Sequence, residues 1–294
     1  MISGGEGPDP SIEDVIRLDD QLADTGVPVL KRPLEAAKLW ADECGNVMLG
    51  LTKEGFFRQA YRQLHPSVPF DSESFLTLCV SARAVSYIIK PPMAYGRVAI
   101  KPLDHTSITE EEVARLWHGH PQDFWELHWQ AFDAIDLFMA RVNFHPSSLA
   151  AQNMIETAVN QLTASSRQLV ACEIDSSLPQ GVVMACELAG KAVLLHAGGD
   201  DKLLRGIGHD LSALSGEISS RLPSPLDPTL KAVFDTLPHY VSVRYDAPQM
   251  TMVDAQNLFR KAMFIIADFL RRTNHDQSYW KQVQDGSMPA RELP

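Results

Sequence analysis

The chemistry-bearing residues of this sequence crowd into one short segment, KLLRGIGHD, from Lys202 to Asp210. Arg205 and His209 stand there with three residues between them. Histidine moves a proton near neutral pH, and arginine clamps a phosphate and offsets its developing charge. The pair therefore has the parts for phosphodiester chemistry. Lys202 adds a cation, and Gly208 and Asp210 flank the histidine at the start of a predicted helix. Free N–H groups and the helix dipole favour an anion at such a start. Lys202, Arg205, Gly208, His209 and Asp210 thus read as a catalytic pair or as a phosphate receptor. The plainer alternative is that Gly208 turns the chain and Asp210 or His209 caps the next helix.

Arg244 and Tyr245 precede the last predicted helix, where the arginine either contacts a ligand or pairs with a carboxylate inside the fold. His118, His120, Glu126 and His128 are metal-ligand types, but their spacing does not put them on one helix face, and H-E-x-x-H is absent. Asp133 and Asp136 stand one turn apart and read as a solvated edge. Trp125 and Trp129 form a core or interface stripe. Arg58 with His65, and Arg115 with His120, also pair an arginine with a following histidine. No P-loop, G-x-G-x-x-G or G-x-S-x-G occurs. The motifs call for no metal and no cofactor.

Composition narrows the class. The chain has 294 residues, 45% of them apolar, enough for a packed core. Its net charge is −11, which argues against chain-wide attraction to DNA, RNA or an anionic membrane. No DNA or membrane partner is expected. The acidity is uneven: residues 1–150 carry −8 and residues 151–275 carry −2. The second part is the better home for an anionic ligand. The longest apolar stretches are broken by charge or fall far short of the ~20 residues of a membrane span. The acidic, Gly- and Pro-rich start lacks the marks of a signal peptide. Cys44, Cys79, Cys172 and Cys186 form no C-x-x-C pair. They read as reduced thiols of a cytoplasmic protein.

The elements that must position these groups are helical almost throughout. Ser11 with Asp14, Thr109 with Glu112 and Thr251 with Asp254 are predicted helix starts. A helix is predicted from about Ser72 to Lys90. Another is predicted in PQDFWELHWQAFDAIDLFMARV, ending at a break, Phe144–Ser148, that marks a candidate domain boundary. Met154, Ile155, Ala158, Val159, Leu162, Ser166, Leu169 and Val170 make an amphipathic stripe. GVVMACELAGKAVLLHAG is apolar nearly all round, as a central bundle helix should be. DDKLLRGIG reads as a charged link, HDLSALSGEISSRL and TLKAVFDTL as helices, and YVSVRY as an isolated β-prone run. The predicted fold is all-α. A disordered tip (1–10) and a helical region of unknown type (11–145) precede a four-helix bundle (150–272) and a frayed polar tail (276–294).

The second half resembles the HEPN (higher eukaryotes and prokaryotes nucleotide-binding) domain family. The resemblance rests on ACELAGKAVLLHAG, then GHDLSAL, then an Arg-Tyr before the capped last helix of RYDAPQMTMVDAQNLFRKAMFIIADFL. It implies a HEPN-like four-helix bundle that forms a homodimer, with a nucleotide, RNA or protein partner. Some members are metal-independent RNases of toxin or defence systems. Their motif is an arginine, four to six residues, then a histidine, placed across the dimer interface. Arg205 and His209 are one residue short of it, and Gly206 replaces the usual polar residue. The resemblance therefore implies first a binding or dimerisation module, and second a ribonuclease using Arg205 and His209.

Overall fold

The computed structural model describes residues 9–29, 31–45, 51–66, 76–92, 100–146, 148–239, 250–274, 289 and 291. The chain divides into two compact units, Met1–Glu73 and Ser74–Pro294. The fold is all-α, with eleven helices and one β-hairpin among the described residues.

The smaller unit holds α1 (Ile12–Asp24), α2 (Arg32–Glu43) and α3 (Leu51–Leu64). The predicted capping box opens α1: Ser11 Oγ accepts from the Asp14 N–H, and the Asp14 carboxylate accepts from the Ser11 N–H at 2.9 Å. Val15, Leu18, Ala37, Trp40, Phe57 and Tyr61 bury themselves in its core. Buried Asp19 ties α1 to the others, meeting Arg32 Nη1 at 3.2 Å and His65 Nε2 at 3.0 Å. His65 is thus engaged with a carboxylate.

The larger unit opens with β1 (Leu78–Ala82) and β2 (Val85–Ile89), an antiparallel hairpin pairing Ala82 with Val85. The predicted helix over 72–90 is therefore wrong. The signal lay in the β-branched and aromatic residues of VSYII, of which Tyr87 and Ile89 are buried on one face. Helices complete the hairpin. The Gln130 side chain acts as a third strand: its Oε1 accepts from the Ser81 N–H at 2.8 Å and its Nε2 donates to the Ser81 carbonyl at 2.9 Å. The Cys79 N–H donates to Ser166 Oγ at 3.2 Å.

A 3-10 turn (Pro102–His105) leads to α4 (Glu110–Gly119) and α5 (Pro121–Val142). The predicted Thr109–Glu112 capping box starts α4. The bundle proper continues with α6 (Leu149–Ala171), α7 (Ser177–His196), α8 (Asp201–Ile207), α9 (Leu211–Arg221), α10 (Asp227–Phe234) and α11 (Met252–Asn274). The predicted charged link is helix α8, capped by the Asp200 carboxylate on the Leu203 N–H at 2.7 Å. YVSVRY lies outside the described residues.

Helix α7 is the hub, packing on α6, α9 and α11, while α5 packs along α11. The break at Phe144–Ser148 therefore separates two helices of one core. The axis of that core is α11, whose Ala255, Leu258, Phe259, Ala262, Ile265, Ile266 and Phe269 are buried as predicted. Each such large side chain stabilises the fold by about 1.5–3 kcal/mol relative to exposure. Gly190 allows the close approach: a Cβ there would sit 2.7 Å from Leu214 Cδ2 and 3.0 Å from Phe269 Cε2. Helix α7 is long and apolar enough to cross a membrane, but most of it is buried inside the bundle.

Candidate functional site

The site grows from a charge conflict within α7. Glu187 and Lys191 stand one turn apart in an otherwise apolar helix. Packing leaves the Glu187 side chain only 4% exposed, and burying a carboxylate is costly unless it is paired. Two cationic or proton-bearing groups meet it. Lys191 Nζ donates to Glu187 Oε1 at 2.6 Å, and His209 Nδ1 lies 2.9 Å from Glu187 Oε2.

The histidine reaches Glu187 because of the turn before it. Helix α8 ends at Ile207, and Gly208 has φ +60°, a left-handed conformation that costs glycine little. His209 then hangs between α8 and α9 with half its side chain open to solvent. A carboxylate on Nδ1 places the neutral ring's proton there and so sets the tautomer. Such an imidazole can accept or deliver a proton and can bond an acidic ligand.

The other predicted site residues divide clearly. Asp210 is the N-cap of α9, its Oδ1 accepting from the Ala213 N–H at 2.9 Å. Its carboxylate thus occupies the helix start at which a phosphate was considered. Arg205 is exposed on α8, and its Nε donates to the Asp201 carbonyl one turn back, at 3.2 Å. It makes no hydrogen bond with His209. Lys202 is exposed on the same helix. Arg244 and Tyr245 lie outside the described residues. Of the predicted cluster, only His209 is drawn into a buried polar site. Its partner Glu187, and the Lys191 that shares that carboxylate, are not among the sequence-predicted site residues. Their signal was an acid and a base at i and i+4 in an apolar segment.

A second polar cluster overturns another expectation. Asp133 and Asp136 do not form a solvated edge: Asp133 is fully buried and Asp136 is 14% exposed. Arg271 bridges them, with Nη2 at 2.7 Å from Asp133 Oδ1 and Nε at 2.7 Å from Asp136 Oδ2. Burial opposes the Arg271 charge, but Asp136 and Asp133 more than offset this and hold its pKa above the ordinary value. Arg291 completes the cluster, donating to Asp133 Oδ2 at 2.5 Å and to Glu126 Oε1 at 2.9 Å. The tail was expected to be frayed, yet its Arg291 side chain is only 2% exposed. Glu126 is thereby committed to arginine. His128 is packed among the rings of Phe124, Trp125 and Phe132, and burial lowers its pKa to about 4. His120 Nδ1 lies 3.0 Å from Arg83 Nη1. Trp129 is in the core.

Cys79 and Cys186 are buried thiols. Burial pushes Cys79 up to about 12 and raises Cys186 as well, so neither is poised as a thiolate. Comparison with family models, with curated proteins and with solved structures finds no match.

Proposed function

We propose that the larger unit is a HEPN-like binding and dimerisation module of a cytoplasmic protein, and that its ligand is a nucleotide or RNA. The observation that carries this reading is the tie between His209 and Glu187. The histidine of the GHDL motif reaches back to the acid of the CELAGK motif, 2.9 Å away. Two of the motifs behind the HEPN resemblance thus meet at one polar site. The order of elements supports the same reading: a long amphipathic α6, an apolar α7, α9 opening at Asp210-Leu211, and a capped α11 on a common core.

Binding is favoured over cleavage by Arg205. Its Nε donates to the Asp201 carbonyl of its own helix, and among the described residues it makes no hydrogen bond with His209. The carboxylate-held imidazole favours the second reading, a metal-independent ribonuclease using His209 with Arg205. One experiment separates them. Wild type and His209→Ala are incubated with single-stranded RNA and tRNA in EDTA, and their oligomeric state is measured by sedimentation. A dimer that binds RNA without cutting it is expected. A strict monomer at micromolar concentration overturns the module reading. Cleavage lost in His209→Ala replaces it with the nuclease.

A further inference from the structure

Where the hairpin turn meets the starts of α5 and α11, the larger unit encloses a cavity of about 210 Å³. Its polar lining includes Arg83 and Arg260, the acids Asp123 and Glu126, and Asn257. The cavity is unrelated to the Glu187–His209 site and uses none of its residues.

Arg260 is the unusual member. Its side chain is 20% exposed, and it makes no hydrogen bond among the described residues. Its Nε is buried and has no hydrogen-bond partner among the described residues. The nearest carboxylate oxygen, Glu126 Oε1, is 4.0 Å away and already accepts from Arg291 Nη2 at 2.9 Å. Arg271 and Arg291 also keep one buried nitrogen without a partner, but their other nitrogens donate to carboxylates at 2.5–2.9 Å. A guanidinium in this state loses hydration without gaining hydrogen bonds, a cost that a ligand can remove. Burial, with the charge of Arg291, holds its pKa below the ordinary value, which agrees with incomplete compensation. Asn257 stands on the same face one turn earlier, and it too lines the cavity without a hydrogen bond among the described residues.

We propose that this cavity binds the carboxylate group of a small organic acid, with Arg260 as the receiving fork and the Asn257 amide as an adjoining donor. The planar, two-oxygen carboxylate matches the guanidinium edge. Asp123 and Glu126 on the cavity wall are already engaged, by Arg83 at 3.3 Å and by Arg291. The volume suits a small solute, since each water-sized group needs about 30 Å³.

The test follows the Arg260 Nε–H resonance in the full chain, assigned as the peak missing from Arg260→Lys. Sodium acetate is titrated against sodium phosphate and sodium chloride at matched ionic strength. A saturable shift with acetate alone is expected. Asn257→Ala should weaken acetate binding by about threefold, and Arg260→Lys by about tenfold, because lysine keeps the charge and loses the fork. A shift no larger than that from chloride overturns the proposal, as does phosphate binding tighter than acetate. If Arg260→Lys fails to fold, calorimetry on wild type and Asn257→Ala decides, and equal acetate affinities count against the site.

Discussion

His209 Nδ1 and Glu187 Oε2 lie 2.9 Å apart although 22 residues separate them in the chain. The pair joins the loop before α9 to the middle of α7, and Lys191 shares the same carboxylate. Function and stability are therefore separable by choosing which partner to remove. Lys191 is 15% exposed, so Lys191→Met strands a buried charge and should cost about 3 kcal/mol. His209 is half exposed, and His209→Ala should cost under about 1 kcal/mol. Replacing Glu187 and Lys191 together with Leu and Met should cost less than Lys191→Met alone, because no charge is left unpaired. Urea unfolding of the three variants checks this. A His209→Ala cost equal to that of Lys191→Met would make the histidine structural.

Asp210 stands beside His209 but serves the helix. Its loss removes the cap on the Ala213 N–H, and Asp210→Ala should lower stability by about 1 kcal/mol. Asp210→Asn should restore most of that. RNA binding, measured at a temperature where both variants are folded, should match wild type. Weaker binding by Asp210→Asn at full stability would move Asp210 into the site.

Arg291 answers two carboxylates at once, through Nη1 to Asp133 and Nη2 to Glu126. Arg291→Ala leaves the fully buried Asp133 with Arg271 alone, and about 3 kcal/mol should be lost. Arg291→Lys should recover only part of this, since one ammonium cannot reproduce the fork. Thermal melts of the two variants suffice. An unchanged melting temperature in Arg291→Ala would mean that the contact is not maintained in solution.

His128 sets an acid limit. Burial among aromatic rings lowers its pKa to about 4, below the unfolded value near 6.5. Between those two values the unfolded chain binds the proton and the folded chain does not. Stability contributed by the neutral ring is thus intact above pH 6.5, declines as pH falls, and is fully lost below pH 4. The total is about 3 kcal/mol. His128→Phe should flatten the stability profile across that window, as read by urea midpoints at pH 7, 5.5 and 4.5. A parallel decline in the variant would assign the acid sensitivity to other groups.

Much of the fold could be read from the residues, and the exceptions share a cause. The capping boxes at Ser11, Thr109 and Thr251 are local, and each forms as predicted. The buried face of α11 follows from its 3.6-residue period. Asp133 and Asp136 were misread because their partner, Arg271, lies over 130 residues away. Glu187 was passed over for the same reason: its meaning depends on where the Gly208 turn delivers His209. Arg291 lay in a segment whose polarity gave no hint of an anchor.

The hairpin carries a consequence for the order of folding. Its two turn residues, Arg83 and Ala84, both adopt left-handed backbone, at φ 52° and 62°, and neither is glycine. Each is disfavoured there by roughly 1 kcal/mol or more. An isolated two-stranded ribbon is marginal even with a favourable turn. The register is instead imposed from outside, by Gln130 on α5 and Ser166 on α6. These residues must be in place first, so the strands should zip only after the helices have docked. In a pulsed hydrogen-exchange experiment the amides of Cys79 and Ser81 should gain protection later than those of α7, and Gln130→Ala should delay them further. The β-structure of this protein is then a late impression taken from a helical mould.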